Sequence, residues 1–212
     1  MTAYPNVRFL KSAHEPSQFC EDFGVEVAFA GRSNSGKSSA INAIVRRRDL
    51  ARTSKTPGRT QLVNFFEIAP GQRLVDLPGY GYAQVPPAMR EHWRKLMDGY
   101  FGSRSSLAGL FIVMDGRRPL TDTDWQMIEM AAARNCPVHV LLSKSDKLRR
   151  NEARETLRRV SAEIGDAGQA QPFSAVSGEG FDQARSALRR MLARERPADA
   201  TEPLLRPWEQ RG

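Results

Sequence analysis

The chain has 212 residues, 32 Lys and Arg against 24 Asp and Glu (formal net charge +8), and 40 % hydrophobic residues. That length allows one well-buried core. A mean hydropathy of −0.51, with no apolar run near the roughly 20 residues needed to cross a bilayer, argues against a membrane protein. Only Cys20 and Cys136 are present, too few for a disulfide framework and without metal-ligand spacing. The first five residues lack a basic-then-apolar leader pattern, so a cytoplasmic protein is expected. A pI near 10.0 points to a polyanionic partner such as RNA, although the arginine-rich basic set is also what biased codon usage would produce.

Residues 1–24 form an N-terminal segment with one short edge strand expected at Val7-Arg8-Phe9-Leu10. Residues 25–196 read as a single nucleotide-binding domain. Its first strand, Val25 to Ala30, runs into Gly31-Arg32-Ser33-Asn34-Ser35-Gly36-Lys37-Ser38, which fits the phosphate-loop pattern G-x-x-x-x-G-K-[ST]. Glycines at 31 and 36 let the chain turn where side chains would collide with phosphates, so that backbone N–H groups converge as an anion nest. Lys37 would reach the β- and γ-phosphates, and Ser38, followed by Ser39, would offer its hydroxyl to Mg²⁺ at the start of the helix carrying Ala40 to Val45.

The basic stretch 46–60, broken by Pro57 and Gly58, is expected to be a mobile loop. Gln61 to Ile68 and Gln72 to Val75 follow as an antiparallel hairpin. The second strand ends in Asp76-Leu77-Pro78-Gly79, where a carboxylate would help hold Mg²⁺ and Gly79 N–H would meet the γ-phosphate. A helix is expected from Pro86 to Phe101, with Met89, Trp93, Leu96, Met97 and Tyr100 on its core face. An apolar strand spans Leu107 to Met114. Thr121 and Asp124 have capping-box spacing at the start of a helix whose Trp125, Ile128 and Ala132 are expected inward. Another buried strand, 137–142, contains His139, read as a hydrogen-bonded core histidine because no carboxylate or second histidine lies near it in sequence.

That strand leads to Ser143-Lys144-Ser145-Asp146. A carboxylate at 146 can accept from both N1–H and the exocyclic amine of guanine, whereas adenine has an acceptor at N1 and no amine at that edge. The Lys144 stem can lie over the base while its ammonium braces the phosphate loop. A last strand around Gln171 ends in Phe173-Ser174-Ala175, whose backbone would complete the guanine pocket. Strands alternating with helices behind a phosphate loop define an α/β fold of the P-loop GTPase type. It is expected to have a mostly parallel sheet of six to seven strands with helices on both faces.

The ordered set G-R-S-N-S-G-K-S, T-P-G-R-T-Q, D-L-P-G-Y-G-Y, S-K-S-D and S-A resembles the translation-factor-related GTPases. In detail it is similar to the bacterial EngB ribosome-biogenesis GTP-binding proteins, over roughly residues 7–195. The resemblance implies a monomeric GTPase that needs GTP and Mg²⁺, cycles to GDP, assembles the large ribosomal subunit on its rRNA and supports cell division and septation. It implies that Thr60, rather than its neighbour Thr56, closes on Mg²⁺ and the γ-phosphate, with Gly58 and Arg59 beside it. Lys37, Thr60 and Gly79 would then be the catalytic set and Ser38, Thr60 and Asp76 the metal ligands. Related GTPases with Asn at the position of Asn34 bind K⁺ beside the phosphates, so K⁺ is expected there too.

Two positions depart from the pattern. Ser143 stands where guanine-binding motifs usually carry Asn or Thr, which is expected to weaken nucleotide affinity. Tyr80 stands where Ras-like enzymes carry the water-orienting Gln, so turnover by the chain alone should be slow. Arg150, Arg154 and Arg158 on one helix, and Arg185, Arg189, Arg190 and Arg194 on the last, form candidate phosphate-binding faces. They would otherwise be solvated surface neutralised by pairs such as Glu155 with Arg159. Residues 197–212, with three prolines and no apolar period, read as a disordered tail. Alternatives to a GTPase switch are an RNA-binding assembly scaffold that holds GTP with negligible hydrolysis and a phosphate-loop kinase of small molecules.

Overall fold

The structure is a computed structural model and describes residue 4 and residues 6–51, 62–81 and 86–194. Its strands are β1 (Arg8–Ala13), β2 (Val25–Gly31), β3 (Val63–Ala69), β4 (Gln72–Asp76), β5 (Leu107–Asp115), β6 (Val138–Ser143) and β7 (Gly168–Pro172). The α-helices are α1 (Lys37–Val45), α2 (Pro87–Ser103), α3 (Asp122–Ala132), α4 (Arg150–Ile164) and α5 (Phe181–Leu192). All seven strands form one sheet in the order β1-β3-β4-β2-β5-β6-β7. The β4-β2-β5-β6-β7 block is parallel, while β3 runs antiparallel to both β4 and β1. The fold is thus an α/β sandwich with the expected hairpin at one side and β1 at the edge. Edge strand β1 begins one residue later than Val7 and runs on to Ala13.

Period-2 alternation divides the core in two. Ala28 and Ala30 of β2, with Leu110 and Ile112 of β5, face α2, α3 and α4 through Leu96, Tyr100, Met127, Ile128 and Val160. Val27 and Phe29, with Phe111 and Val113, face α1 and α5 through Ile41, Ile44 and Leu188. The Phe29 and Phe111 rings stack at 4.8 Å across neighbouring strands. In α3 the inward positions are Met127, Ile128 and Ala131, with Trp125 half-buried; Ala132, expected inward, is exposed. The helix starts at the capping box of Thr121 and Asp124, which sets its rotation by the Met127, Ile128 and Ala131 triplet. His139 is buried with Nε2 2.8 Å from Gln171 Oε1, and burial holds its pKa below the ordinary histidine value, as suits a neutral core ring.

At the sheet end away from the phosphate loop, the fully buried Glu26 carboxylate meets Arg104 Nη2 at 2.5 Å and Arg73 Nε at 3.0 Å, and accepts from Tyr100 Oη at 3.1 Å. A buried charge of this kind is tolerable only with such partners. Among the described residues no helix is long and apolar enough to cross a membrane.

Candidate nucleotide site

The C-terminal ends of β2, β4, β5 and β6 bring the sequence motifs together. β2 ends at Gly31, buried so tightly that a Cβ there would stand 2.7 Å from Ser35 Oγ and 2.8 Å from the Val113 carbonyl. The loop then turns through left-handed conformations at Asn34 (φ 63°) and Gly36 (φ 95°), and α1 begins at Lys37. Alternation of handedness in such a loop makes successive N–H groups converge, and the helix start adds its own field, so the segment suits an anion. Ser38 and Ser39 lie in the first turn of α1.

Asp76 ends β4 beside this loop, and its Oδ1 is ion-paired with Lys37 Nζ while Asn64 Nδ2 lies 3.4 Å from Oδ2. Ser38, next to the Lys37 that pairs with Asp76, has a hydroxyl, and Asp76 a carboxylate. That hard-oxygen set fits Mg²⁺, which is usually held by one or two carboxylates together with phosphate oxygens and water. Among the described residues no group of three or more His, Cys, Asp or Glu side chains could hold an ion by itself. When bound, Mg²⁺ would neutralise charge developing on the β- and γ-oxygens; Lys37 would add its ammonium there. Gly58, Arg59 and Thr60, expected to close over this side, lie outside the described residues, as does the tail from 195 onward.

Beyond Asp76 the chain stays against the phosphate loop. Leu77 N donates to Phe29 O (3.0 Å), and Ser33 N donates to Tyr80 O (2.9 Å) in a bridge between Arg32 and Tyr80. Pro78 and Gly79 lie between these two fastenings, and a Cβ on Gly79 would meet Ser33 N at an ordinary van der Waals distance of 3.5 Å. The Tyr80 side chain points into the core and is 4 % exposed.

The end of β6 and the residue after it are tied to the same loop across more than a hundred residues of chain. Ser143 Oγ donates to Ser35 O, and Lys144 Nζ donates to Asn34 O at 2.6 Å. Ser143, short as it is, thus reaches the phosphate loop. Lys144 takes a left-handed backbone (φ 58°) and also pairs with Asp115 Oδ2 at 2.9 Å. Asp115 is held well below the usual carboxylate range, first by its hydrogen bonds from Arg117 and then by Lys144, so it remains an anion that anchors both. Neither Asp115 nor Arg117 stood out in the sequence; the only hint was a carboxylate at the end of an apolar strand, the same signal that marked Asp76.

Asp146 follows in a 3₁₀ turn, Ser145–Lys147. Its Oδ1 accepts from Ser174 Oγ at 2.6 Å, and Lys147 Nζ lies 3.6 Å from Oδ2. The Ser174 hydroxyl first, then the Lys147 charge, lowers its pKa, so the group is ionised and acceptor-only at neutral pH. Ser145 Oγ donates to Glu179 Oε2 at 2.6 Å, and Ser145 N donates to Phe173 O. Phe173 and Ser174 are buried, whereas Ala175 is exposed beside them. Glu179 is a further support that sequence reading missed.

The two basic helices differ. On α4, Arg150, Arg154, Arg158 and Arg159 are exposed and outside any ion pair among the described residues, and Glu155 makes none with Arg159. On α5, Arg189, Arg190 and the following Arg194 are exposed, but Arg185 is buried. It donates to Ile44 O (3.0 Å) and Ala43 O (2.8 Å), closing the C-terminus of α1 while packing over Phe181. Arg185 is structural and leaves the candidate partner face.

A family profile described as "50S ribosome-binding GTPase" matches residues 26–144. The chain is 50 % identical over 199 residues to the probable GTP-binding protein EngB of Xanthomonas campestris pv. campestris strain 8004, covering 91 % of this chain and 96 % of that protein. It is 52 % identical over 182 residues to the protein of the same name from Xanthomonas oryzae pv. oryzae strain PXO99A, covering 84 % and 88 %. Among solved structures, a probable GTP-binding protein engB superposes with a TM-score of 0.64 at 21 % identity, over 79 % of this chain and 98 % of that one. Era in complex with MgGDPNP and nucleotides 1506–1542 of 16S ribosomal RNA superposes with a TM-score of 0.60 at 17 % identity, over 82 % and 59 %. At those identities the two superpositions speak for the fold.

Proposed function

The chain belongs to the EngB family of GTP-binding proteins, and on that premise we propose that it is a GTP-hydrolysing switch acting in assembly of the large ribosomal subunit, and through it in cell division. The observation that carries the reading is the pair of bonds from Ser143 and Lys144 to the carbonyls of Ser35 and Asn34. They hold the base-reading segment and the phosphate loop in one frame, so a single guanosine nucleotide can engage both. In this reading the amides around Lys37 and its ammonium hold the phosphates within the loop 31–39, and Ser38, Asp76 and Thr60 hold Mg²⁺. Gly79 meets the γ-phosphate, Asp146 reads the base, and Phe173, Ser174 and Ala175 line its far side. A K⁺ beside Asn34 belongs to the same reading.

The arginines of α4 support an RNA partner, because exposed cations that make no ion pair among the described residues are available to bind phosphates and release counterions. The profile name points the same way. Tyr80, turned into the core, offers no amide to orient the attacking water. Phosphate release by the isolated chain is therefore expected to be slow, on the order of 10⁻³ s⁻¹ or less, and to accelerate when large ribosomal subunits are added. Acceleration would support the switch. Equal and negligible release in both conditions would favour the alternative, a scaffold that binds RNA and merely retains GTP.

A further inference from the structure

Tyr80 occupies the position next to Gly79, and its side chain does something specific there. Its hydroxyl donates to Asp124 Oδ1 at 2.8 Å, in a fully buried pair. The other oxygen, Asp124 Oδ2, accepts from Thr121 N (2.9 Å) and Thr121 Oγ1 (2.8 Å) at the start of α3. Burial, then the neighbouring Asp124 charge, pushes the Tyr80 pKa far above its ordinary value, so the phenol keeps its proton and stays the donor. On the other side of Gly79, Trp93 of α2 donates from Nε1 to Pro78 O (3.4 Å), and its ring meets the Tyr80 ring edge-on at 6.2 Å. Gly79 is therefore clamped from both flanks by side chains rooted in α2 and α3, while its backbone lies against Ser33.

The geometry points to Tyr80 and Asp124 as positioning residues that preset Gly79 for the γ-phosphate, so that the third phosphate is recognised by a turn already in place and is coupled through Asp124 to α3. The inference rests on the GTP reading above. A turn fixed before binding spends none of the ligand's interaction energy on its own ordering. Loosening it should therefore cost affinity only for the nucleotide that reaches it. GDP contacts the phosphate loop and the base pocket but has no γ-phosphate for Gly79. The same residue that cannot orient water thus serves discrimination between the two nucleotides.

The test is titration of the full chain with GDP and with a non-hydrolysable GTP analogue in the presence of Mg²⁺. Tyr80→Phe, which removes one oxygen and keeps the ring, should weaken analogue binding about tenfold, the usual worth of one hydrogen bond to a charged group. GDP binding should stay within about twofold. Asp124→Asn, which keeps one acceptor for the phenol but sets an amide NH₂ against Thr121 N–H in place of Oδ2, should lose about threefold or more for the analogue. If Tyr80→Phe does not fold, Asp124→Asn decides by the same comparison. Equal losses for both nucleotides, or a lowered melting temperature with no change in either affinity, would overturn the clamp. Failure of the unmodified chain to bind either nucleotide would instead overturn the GTP reading itself.

Discussion

Asp146→Ala is expected to lower the affinity for GTP and GDP by about a thousandfold while leaving the chain folded. Two hydrogen bonds from the guanine edge converge on one carboxylate, and each bond to a charged acceptor is worth roughly one to two orders of magnitude in binding. The group is exposed in the folded chain and held by Ser174 and Lys147 rather than by the core, so its removal should scarcely move the melting temperature. A companion substitution separates loss of a contact from loss of shape. Asp146→Asn presents one acceptor and one donor, which matches xanthine, where a carbonyl replaces the exocyclic amine of guanine. Titration with xanthosine triphosphate should recover most of the binding lost for GTP. Unchanged GTP affinity in Asp146→Ala would mean that the base is read elsewhere.

The second large effect is expected at the other end of the ligand. Lys37→Ala should weaken GTP and GDP alike by on the order of a hundredfold, since a charge-assisted contact to the phosphates disappears for both. Its partner loses as well: among the described residues, the mostly buried Asp76 side chain would keep the long contact from Asn64. A modest fall in melting temperature should accompany the binding loss, and Lys37→Arg, with a bulkier fork in a loop shaped by two glycines, should not restore binding. Calorimetric titration beside a thermal melt reads both quantities. Retained nucleotide affinity in Lys37→Ala would remove the phosphate role from this lysine.

What the sequence made legible was whatever chemistry is local. The phosphate loop, Asp76, Gly79 and Ser143 to Asp146 are each defined within a few residues, and each sits at a strand end because an apolar strand must stop where polar groups begin. Alternation of strands with helices behind the phosphate loop likewise placed the mostly parallel sheet, and the short turn after Ile68 placed the hairpin. The contacts that knit the site are not local. Ser143 to Ser35 and Lys144 to Asn34 span 108 and 110 residues, and Tyr80 to Asp124 spans 44. Lys144 could be anticipated as a brace because a lysine stem beside a base has few other places for its charge. Tyr80 could be recognised only as a missing glutamine, since nothing near it in sequence names Asp124.

Arg185 failed for a related reason. One turn from Arg189 it reads as surface, yet it stands beside Ala184 and one turn before Leu188 on the packed side of α5, where the exposed carbonyls of α1 give its guanidinium an interior partner. An arginine flanked by small and apolar residues at helical spacing was the available signal. The consequence for function is a narrower candidate partner surface: Arg150, Arg154, Arg158 and Arg159 of α4 with Arg189, Arg190 and Arg194 at the other helix, without Arg185.

The central claim is that Asp146 and the loop around Lys37 share one guanosine nucleotide. It is tested most directly by displacing a labelled GTP from the full chain, in Mg²⁺, with unlabelled GTP, GDP and ATP. GTP and GDP should compete at similar concentrations and ATP should fail even at a thousandfold excess; displacement by ATP at concentrations comparable to GTP would contradict it.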